Sequence, residues 1–359
     1  MADINDYKDT DTLRYSNVSF LNRATIPQLA KATETRTSSL LQKPSDWKMS
    51  VIRFDIDSQT LPINVPLMQN YPTSNATQSI VTLESKGVYY STTIQYFQGS
   101  SLPIYNFLTI YNYQDWLRSV NLALASSFTD SKIAGNPPLF IYDAKTGLID
   151  LFVDNNFVPI GGVAPLINIF MNRQLFDYFK NFKNQYQLIN STNPLLQYMI
   201  EVNGDNALLL PAVGSRQGLP FNVQTGYTDL YVITDSAPST AGWSSVRSLI
   251  LSSGSLPFRV ETIPNLNNTS TYYSDNDFPI LSDFLVPVES KVTDFRVVNE
   301  YLPTAQFRYL DLLSDTPLVK IDLLFYWTDF TGNIYPLYIL PQKSFSVKLL
   351  FERREKKKY

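Results

Sequence analysis

Neither histidine nor cysteine occurs anywhere in the 359 residues of this chain. Their absence removes the imidazole that titrates near neutral pH, the thiolate nucleophile, and the usual ligands of zinc and haem iron. Any serine lacks a histidine base, so triad-type acyl transfer is excluded. No disulfide framework can form, and folding in a reducing compartment is the simplest expectation. Charge is scarce too: Asp, Glu, Lys and Arg make up 17% of the residues, against a usual share of about 25%. Long apolar runs are missing. The longest apolar-leaning stretch, 157–171, is interrupted by Pro159, Gly161, Gly162, Pro165 and Asn168 and is too short to span a bilayer. Residues 1–6 lack the basic and apolar regions of a signal peptide.

What fills the space is aromatic: 22 Phe, 23 Tyr and 4 Trp in a chain that is 44% hydrophobic. These residues pack well on pleated sheets and at buried interfaces. In 51–57, Ile52, Phe54 and Ile56 alternate with Arg53, Asp55 and Asp57, which predicts a half-buried strand. Strands are also predicted over 78–83 and 88–97, joined by a turn in which Gly87 supplies a positive φ. After 240 come 246–251, 258–263, 283–288, 307–312, 319–327, 334–340 and 345–351. Leu323, Phe325 and Trp327 share one face there, as do Phe345, Val347, Leu349 and Phe351.

Between 101 and 239 the texture is mixed. Asn112 caps a predicted helix whose stripe is Tyr113, Trp116, Leu117, Val120, Leu124 and Phe128. A hairpin is predicted over 138–153, and a short helix over 172–182 with Leu175, Phe176, Phe179 and Phe182 on one face. The expected fold is mainly β: an antiparallel jelly-roll sandwich, 47–100 with 240–352, carrying a mixed α/β inserted domain at 101–239. Residues 1–46 are polar with scattered apolar anchors. They read either as a disordered terminus or as an extended arm that orders on a neighbouring subunit.

With a net charge of −3 and a pI near 5.2, the whole chain has no electrostatic reason to coat nucleic acid. The basic tail, 353–359, is the exception, with Arg353, Arg354, Lys356, Lys357 and Lys358. It reads as a solvated tail, or as a weak contact to packaged nucleic acid or an acidic neighbour. Carboxylate chemistry is formally open at Asp55 with Asp57, at Asp143 with Asp150 and Asp154, and at Asp275 with Asp277. Each set is also what the polar face or turn of a strand contains. Ser274-Asp275-Asn276-Asp277 lacks the glycine and distal glutamate of an EF-hand loop, and Gly161-Gly162 fits no phosphate-binding fingerprint. Asn17, Asn75, Asn190, Asn267 and Asn268 begin sequons that a chain rich in Asn, Ser and Thr forms by chance. No catalytic residue, metal ligand or cofactor is expected.

The C-terminal third carries a pattern of its own: Leu281-Ser282-Asp283-Phe284-Leu285-Val286-Pro287, Arg308-Tyr309-Leu310-Asp311-Leu312-Leu313-Ser314, Pro317 to Asp329 with Phe325-Tyr326-Trp327, then Gly332-Asn333-Ile334-Tyr335-Pro336-Leu337. This resembles penton or minor capsid proteins of small icosahedral DNA viruses, of the polinton-like virus and virophage type. The strand at 47–57 and the helix at 113–128 extend the resemblance over 47–352. It implies a jelly-roll base with an inserted outer domain, a homo-oligomer with a homopentamer favoured, contacts to other capsid proteins through base and arms, and location in a virion assembled inside the host cell. From residues and resemblance together, the interface residues expected are Phe20, Leu21, Trp47, Tyr335, Tyr338, Arg353, Arg354, Lys356, Lys357 and Lys358. Alternatives are a carbohydrate-binding or receptor-attachment module using exposed tyrosines, and a jelly-roll major capsid protein.

Overall fold

A computed structural model describes residues 12–69, 74–96, 109–158, 166–186, 198–200, 202, 208–210, 230–239, 243, 246–259, 261–262, 277–286, 298–301, 308–329, 332 and 334–354. The protein is mainly β, its sheets are antiparallel, and the chain divides into two compact units. One is made of 1–61, 245–287 and 294–359; the other of 62–244 with 288–293.

Eight strands build the two principal sheets of the first unit: β1 (Leu13–Leu21), β2 (Lys31–Thr35), β3 (Trp47–Asp57), β4 (Ser248–Ser252), β5 (Ile280–Leu285), β6 (Val298–Tyr301), β7 (Lys320–Thr328) and β8 (Ser344–Arg353). One sheet runs β1-β8-β3-β6 and the other β2-β7-β4-β5. Leu310–Asp311 adds to β3, and Ile334–Pro336 adds to the second half of β7. Alternation puts Phe54 and Ile56 of β3, Leu323, Phe325 and Trp327 of β7, and Phe345, Val347, Leu349 and Phe351 of β8 inward, all buried. The sheets meet through rings: Phe325 lies 4.7 Å from Phe54 and 4.7 Å from Phe345, Phe54 lies 5.3 Å from Phe284, and Phe20 stacks on Phe345 at 5.5 Å.

The N-terminal residues differ from expectation. Instead of leaving the domain as an arm, 12–46 supply β1, paired along its length with β8, and β2, paired with β7. The pattern conceals this, because Ser16 is buried with Val18 while Leu13, Tyr15 and Leu21 face outward. The corner between β1 and β2 is held by Asn22, which is buried. Its Nδ2 donates to the carbonyls of Ile26 and Ile339 at 2.9 and 2.8 Å, and its Oδ1 accepts from the Ala24 amide at 2.9 Å.

Asp322 performs a similar task between strands. Its carboxylate accepts from Ser253 Oγ at 2.9 Å and from the Ser255 amide at 2.7 Å, and its own amide donates to Ser255 Oγ at 2.9 Å. Burial pushes this carboxyl's pKa up, but the donors from Ser255 and Ser253 outweigh burial and hold it below the ordinary value.

In the second unit one sheet runs Asn184–Tyr186, Tyr198–Ile200, Asn168–Met171, Ala76–Ser85, Val88–Gln95, and another runs Leu208–Leu210, Leu230–Thr234, Leu148–Asp154, Leu139–Asp143. Strands Ala76–Ser85 and Val88–Gln95, which their sequence position had grouped with 47–57, therefore pair in this unit, against Asn168–Met171. Their hairpin turn has φ 51° at Lys86 and 79° at Gly87, the two positive values a two-residue turn needs. Helix α1 (Tyr113–Ser131) begins where Asn112 accepts from the Gln114 amide, and buries the predicted stripe. Asn121 on α1 exchanges two 2.8 Å hydrogen bonds with the backbone of Phe140, and Ser127 bonds Thr92 at 2.7 Å. Helix α2 is shorter than predicted, Arg173–Phe176. Leu175, Phe179 and Phe182 are buried, but Phe176 turns to stack on Tyr198 at 3.9 Å.

Asp322→Asn is expected to cost about 1 kcal/mol at neutral pH, the scale of a hydrogen bond to a charged group discounted for partial exposure. A carboxyl held low when folded contributes stability above about pH 4 and loses it as pH falls through the lower folded value, so the wild-type advantage should vanish on acidification. Urea unfolding at several pH values measures it. Removing residues 1–21 takes away β1 and Phe20; it should cost more than about 4 kcal/mol by the same measurement, whereas loss of a dispensable arm would leave the midpoint unchanged.

Candidate assembly surfaces

The residues singled out for assembly fall into three groups. Trp47 and Phe20 serve their own domain: Trp47 is 4% exposed, with the Arg14 guanidinium 5.3 Å from its ring centre, and Phe20 belongs to the ring stack. The first residue of β3 thus faces the core: Trp47, Met49 and Val51 point inward, and a register shift against β8 between Val51 and Arg53 lets Phe54 and Ile56 point inward too. Tyr335 stacks on Trp327 at 4.4 Å and donates to Asp329 at 3.0 Å, while Tyr338 is half-buried opposite Leu29. Arg353 closes β8 with an amide bond to the Thr12 carbonyl at 2.9 Å. Arg354 donates to the Leu312 carbonyl at 3.0 Å and pairs with Asp311 at 3.2 Å. These two basic residues are therefore integrated at the end of the sheet. Lys356, Lys357 and Lys358 lie outside the described residues.

Leu21 is the anticipated residue that faces solvent, at 49% exposure. Sequence reasoning missed its neighbours Leu13 and Tyr15, both exposed, together with Ile26, Leu29, Leu285 and Leu313. The available signal was the inversion in 13–21, where apolar residues occupy the positions opposite to a buried serine. Around Tyr15 the outer face of the sheet is charged, and several of its charges pair with one another. Lys48 pairs with Glu352 at 3.3 Å directly across the strands, Arg53 with Asp55 at 3.2 Å and Lys343 with Asp57 at 3.3 Å. Lys348 and Lys48 sit over the rings of Tyr15 and Tyr309, at 5.1 and 4.1 Å.

The carboxylates considered for chemistry are structural. Asp55 and Asp57 carry the ion pairs just described. Asp143 accepts from the Lys145 amide and the Thr146 hydroxyl within its turn, at 2.9 and 2.8 Å. Asp150 accepts from Thr234 at 2.6 Å; burial raises its pKa and that bond partly opposes the rise. Asp154 is buried and accepts from Asn136 and from the Asn156 amide. Asp275 and the Asp277 side chain lie outside the described residues. Among the described residues no group of three or more carboxylates gathers in metal-binding fashion, and no helix is long and apolar enough to cross a membrane.

Antiparallel sheets, acids spent on turns and strand pairs, and exposed apolar residues such as Leu21 and Leu285 fit a structural protein. The family described as Sputnik minor capsid protein V18/19 matches residues 15–353, and the chain belongs to that family. It is a structural capsid protein, a component of the virion that assembles with other capsid proteins. Structural protein V19 of Sputnik virophage is 28% identical over 222 residues, 61% of this chain and 96% of that protein. Uncharacterized protein V18 of Sputnik virophage is 28% identical over 125 residues, 29% of this chain and 75% of that one. A chain in the cryo-EM structure of the Sputnik virophage superposes with a TM-score of 0.73 at 24% identity, covering 97% of this chain and 100% of its own. The mavirus penton protein gives 0.61 at 16% identity, covering 96% and 100%.

Trp47→Ala should lower unfolding stability by about 3–5 kcal/mol, whereas Leu21→Ser should stay within about 0.5 kcal/mol. Denaturant midpoints distinguish the buried residue from the exposed one.

Proposed function

We propose that the protein is the vertex subunit of the capsid, a jelly roll that closes into a ring of five and carries the unit inserted between β3 and β4 as a mixed α/β domain. The observation that carries this is the strand order. Numbered along the chain, the sheets read 1-8-3-6 and 2-7-4-5, the arrangement obtained when four antiparallel strand pairs, 1 with 8, 2 with 7, 3 with 6 and 4 with 5, roll into a sandwich. All four pairs are adjacent in these sheets: β1 with β8, β2 with β7, β3 with β6, β4 with β5. The likeness in fold to the mavirus penton protein supports the vertex assignment. A ring is the closed solution when one surface patch of a subunit meets a different patch of the next.

The basic residues after β8 give the subunit a point of weak contact with packaged nucleic acid. Arg353 and Arg354 stand at the end of β8, and Lys356, Lys357 and Lys358 follow them in the sequence. Native mass spectrometry of the purified protein tests the ring, with a dominant species expected at five times the 40.9 kDa subunit mass. A species at three times that mass, or a single subunit at high concentration, overturns the fivefold reading.

A further inference from the structure

The two principal sheets of the first unit end at β1 and β6 and at β2 and β5. An edge strand leaves a row of backbone donors and acceptors open, and natural sheets blunt such rows with short strands, charges, prolines or bulges. Three of these edges are blunted in that way: β2, β5 and β6 are five, six and four residues long, and contain Lys31 with Glu34, Asp283, and Glu300. The fourth is not. β1 is nine residues long, contains no proline, and follows β8 without a register shift. Its outward side chains are Leu13, Tyr15, Asn17, Ser19 and Leu21, all exposed and none charged. The charged residue of β1, Arg14, belongs to the other face, where it donates to the Leu40 carbonyl and lies over Trp47.

The phase of the hydrogen bonds shows which backbone groups this edge leaves open. At one end the Arg353 amide donates to the Thr12 carbonyl, and at the other the Asn22 amide donates to the Lys343 carbonyl, both at 2.9 Å. Alternate residues of an antiparallel pair bond across it, so the even-numbered residues from 12 to 22 are the ones that bond β8. The amides and carbonyls of Leu13, Tyr15, Asn17, Ser19 and Leu21 therefore point away from β8, and among the described residues no strand pairs with them. The residues with uncharged, exposed side chains are thus the same ones whose backbone is open.

We infer that β1 receives an added strand in the capsid: an extended segment of another capsid protein, uncharged where it passes Leu13, Tyr15, Asn17, Ser19 and Leu21. Donors and acceptors that alternate along a strand are satisfied in register by another extended backbone, while the side-chain row sets which segment fits. The row here asks for apolar neighbours beside Leu13, Tyr15 and Leu21, and it offers a charged neighbour no partner. The source is a different capsid chain, because this protein assembles with other capsid proteins and its own edges fit poorly. A second β1 would pair about a two-fold axis and close at two subunits, and β2, β5 and β6 are shorter and carry charges. This contact lies beyond the vertex reading and holds whatever the number of subunits in the ring.

Hydrogen exchange of the wild-type protein, alone and in particles formed by co-expression with the other capsid proteins of its virus, tests the added strand. Alone, the amides of Leu13, Tyr15, Asn17, Ser19 and Leu21 should exchange at least about tenfold faster than those of their even-numbered neighbours; in particles they should slow to match them. Equal exchange in the two states overturns the proposal. Asn17→Lys with Ser19→Lys puts charge into the open row without touching the bonds to β8. This variant should keep the wild-type unfolding midpoint and oligomer mass, yet enter particles at least about tenfold less often. Wild-type incorporation of the folded variant overturns the contact, and loss of its oligomer places a second copy at β1 and overturns the occupant. The chain has no cysteine, so Asn17→Cys introduces one thiol for a maleimide photo-crosslinker. In particles it should couple to a different capsid chain, and coupling to a second copy overturns that assignment. Should the double variant fail to fold, exchange of the wild type decides.

Discussion

One line of rings holds the first unit together. Phe20, Phe345, Phe325, Phe54 and Phe284 follow one another at 4.7 to 5.5 Å and belong to β1, β8, β7, β3 and β5. They are drawn from the first 60 residues and the last 80 of the chain, so the core forms only when distant segments meet. Offset and edge-on ring pairs contribute about 0.5–1.5 kcal/mol each beyond burial, and each pair here also joins strands that no short loop connects.

The polar side chains fit the same frame. Asn22 fastens the β1–β2 corner to the strand at Ile339, Asp322 fastens the turn after β4, and Asn121 supplies the second unit with a side chain that bonds a strand as another backbone would. With no imidazole or thiol in the chain, polar groups serve as fixtures of turns and edges. Asp143, Asp150 and Asp154 show how a set of acids that resembles a reaction centre on paper is divided between a turn, a cross-strand bond and a buried cap.

Strands with plain alternation were legible in the sequence: β3, β7 and β8 lie where their patterns place them, and α1 keeps both its cap and its stripe. Partners were not legible, because alternation defines a face and leaves the neighbour open. Ala76–Ser85 and Val88–Gln95 are strands as predicted, but they pair within the inserted unit. β1 escaped detection for a different reason: its inward positions include Ser16 and its outward positions Leu13, Tyr15 and Leu21, so burial and polarity run opposite to the usual rule. Trp47, expected at an interface, is buried within its own unit, while Leu13, Tyr15 and Leu21 are exposed on β1.

The place of β8 in its sheet has a consequence for timing. It lies between β1 and β3, so two strands made at the start of synthesis have no shared partner until residues 344–353 exist. Until then β1 has neither its ladder nor the ring of Phe345. Non-local pairing of this kind is slow to form, and domains complete when their last essential segment leaves the ribosome. The order of the strands thus makes β1 wait for a partner far along the chain, since its ladder is with residues 344–353.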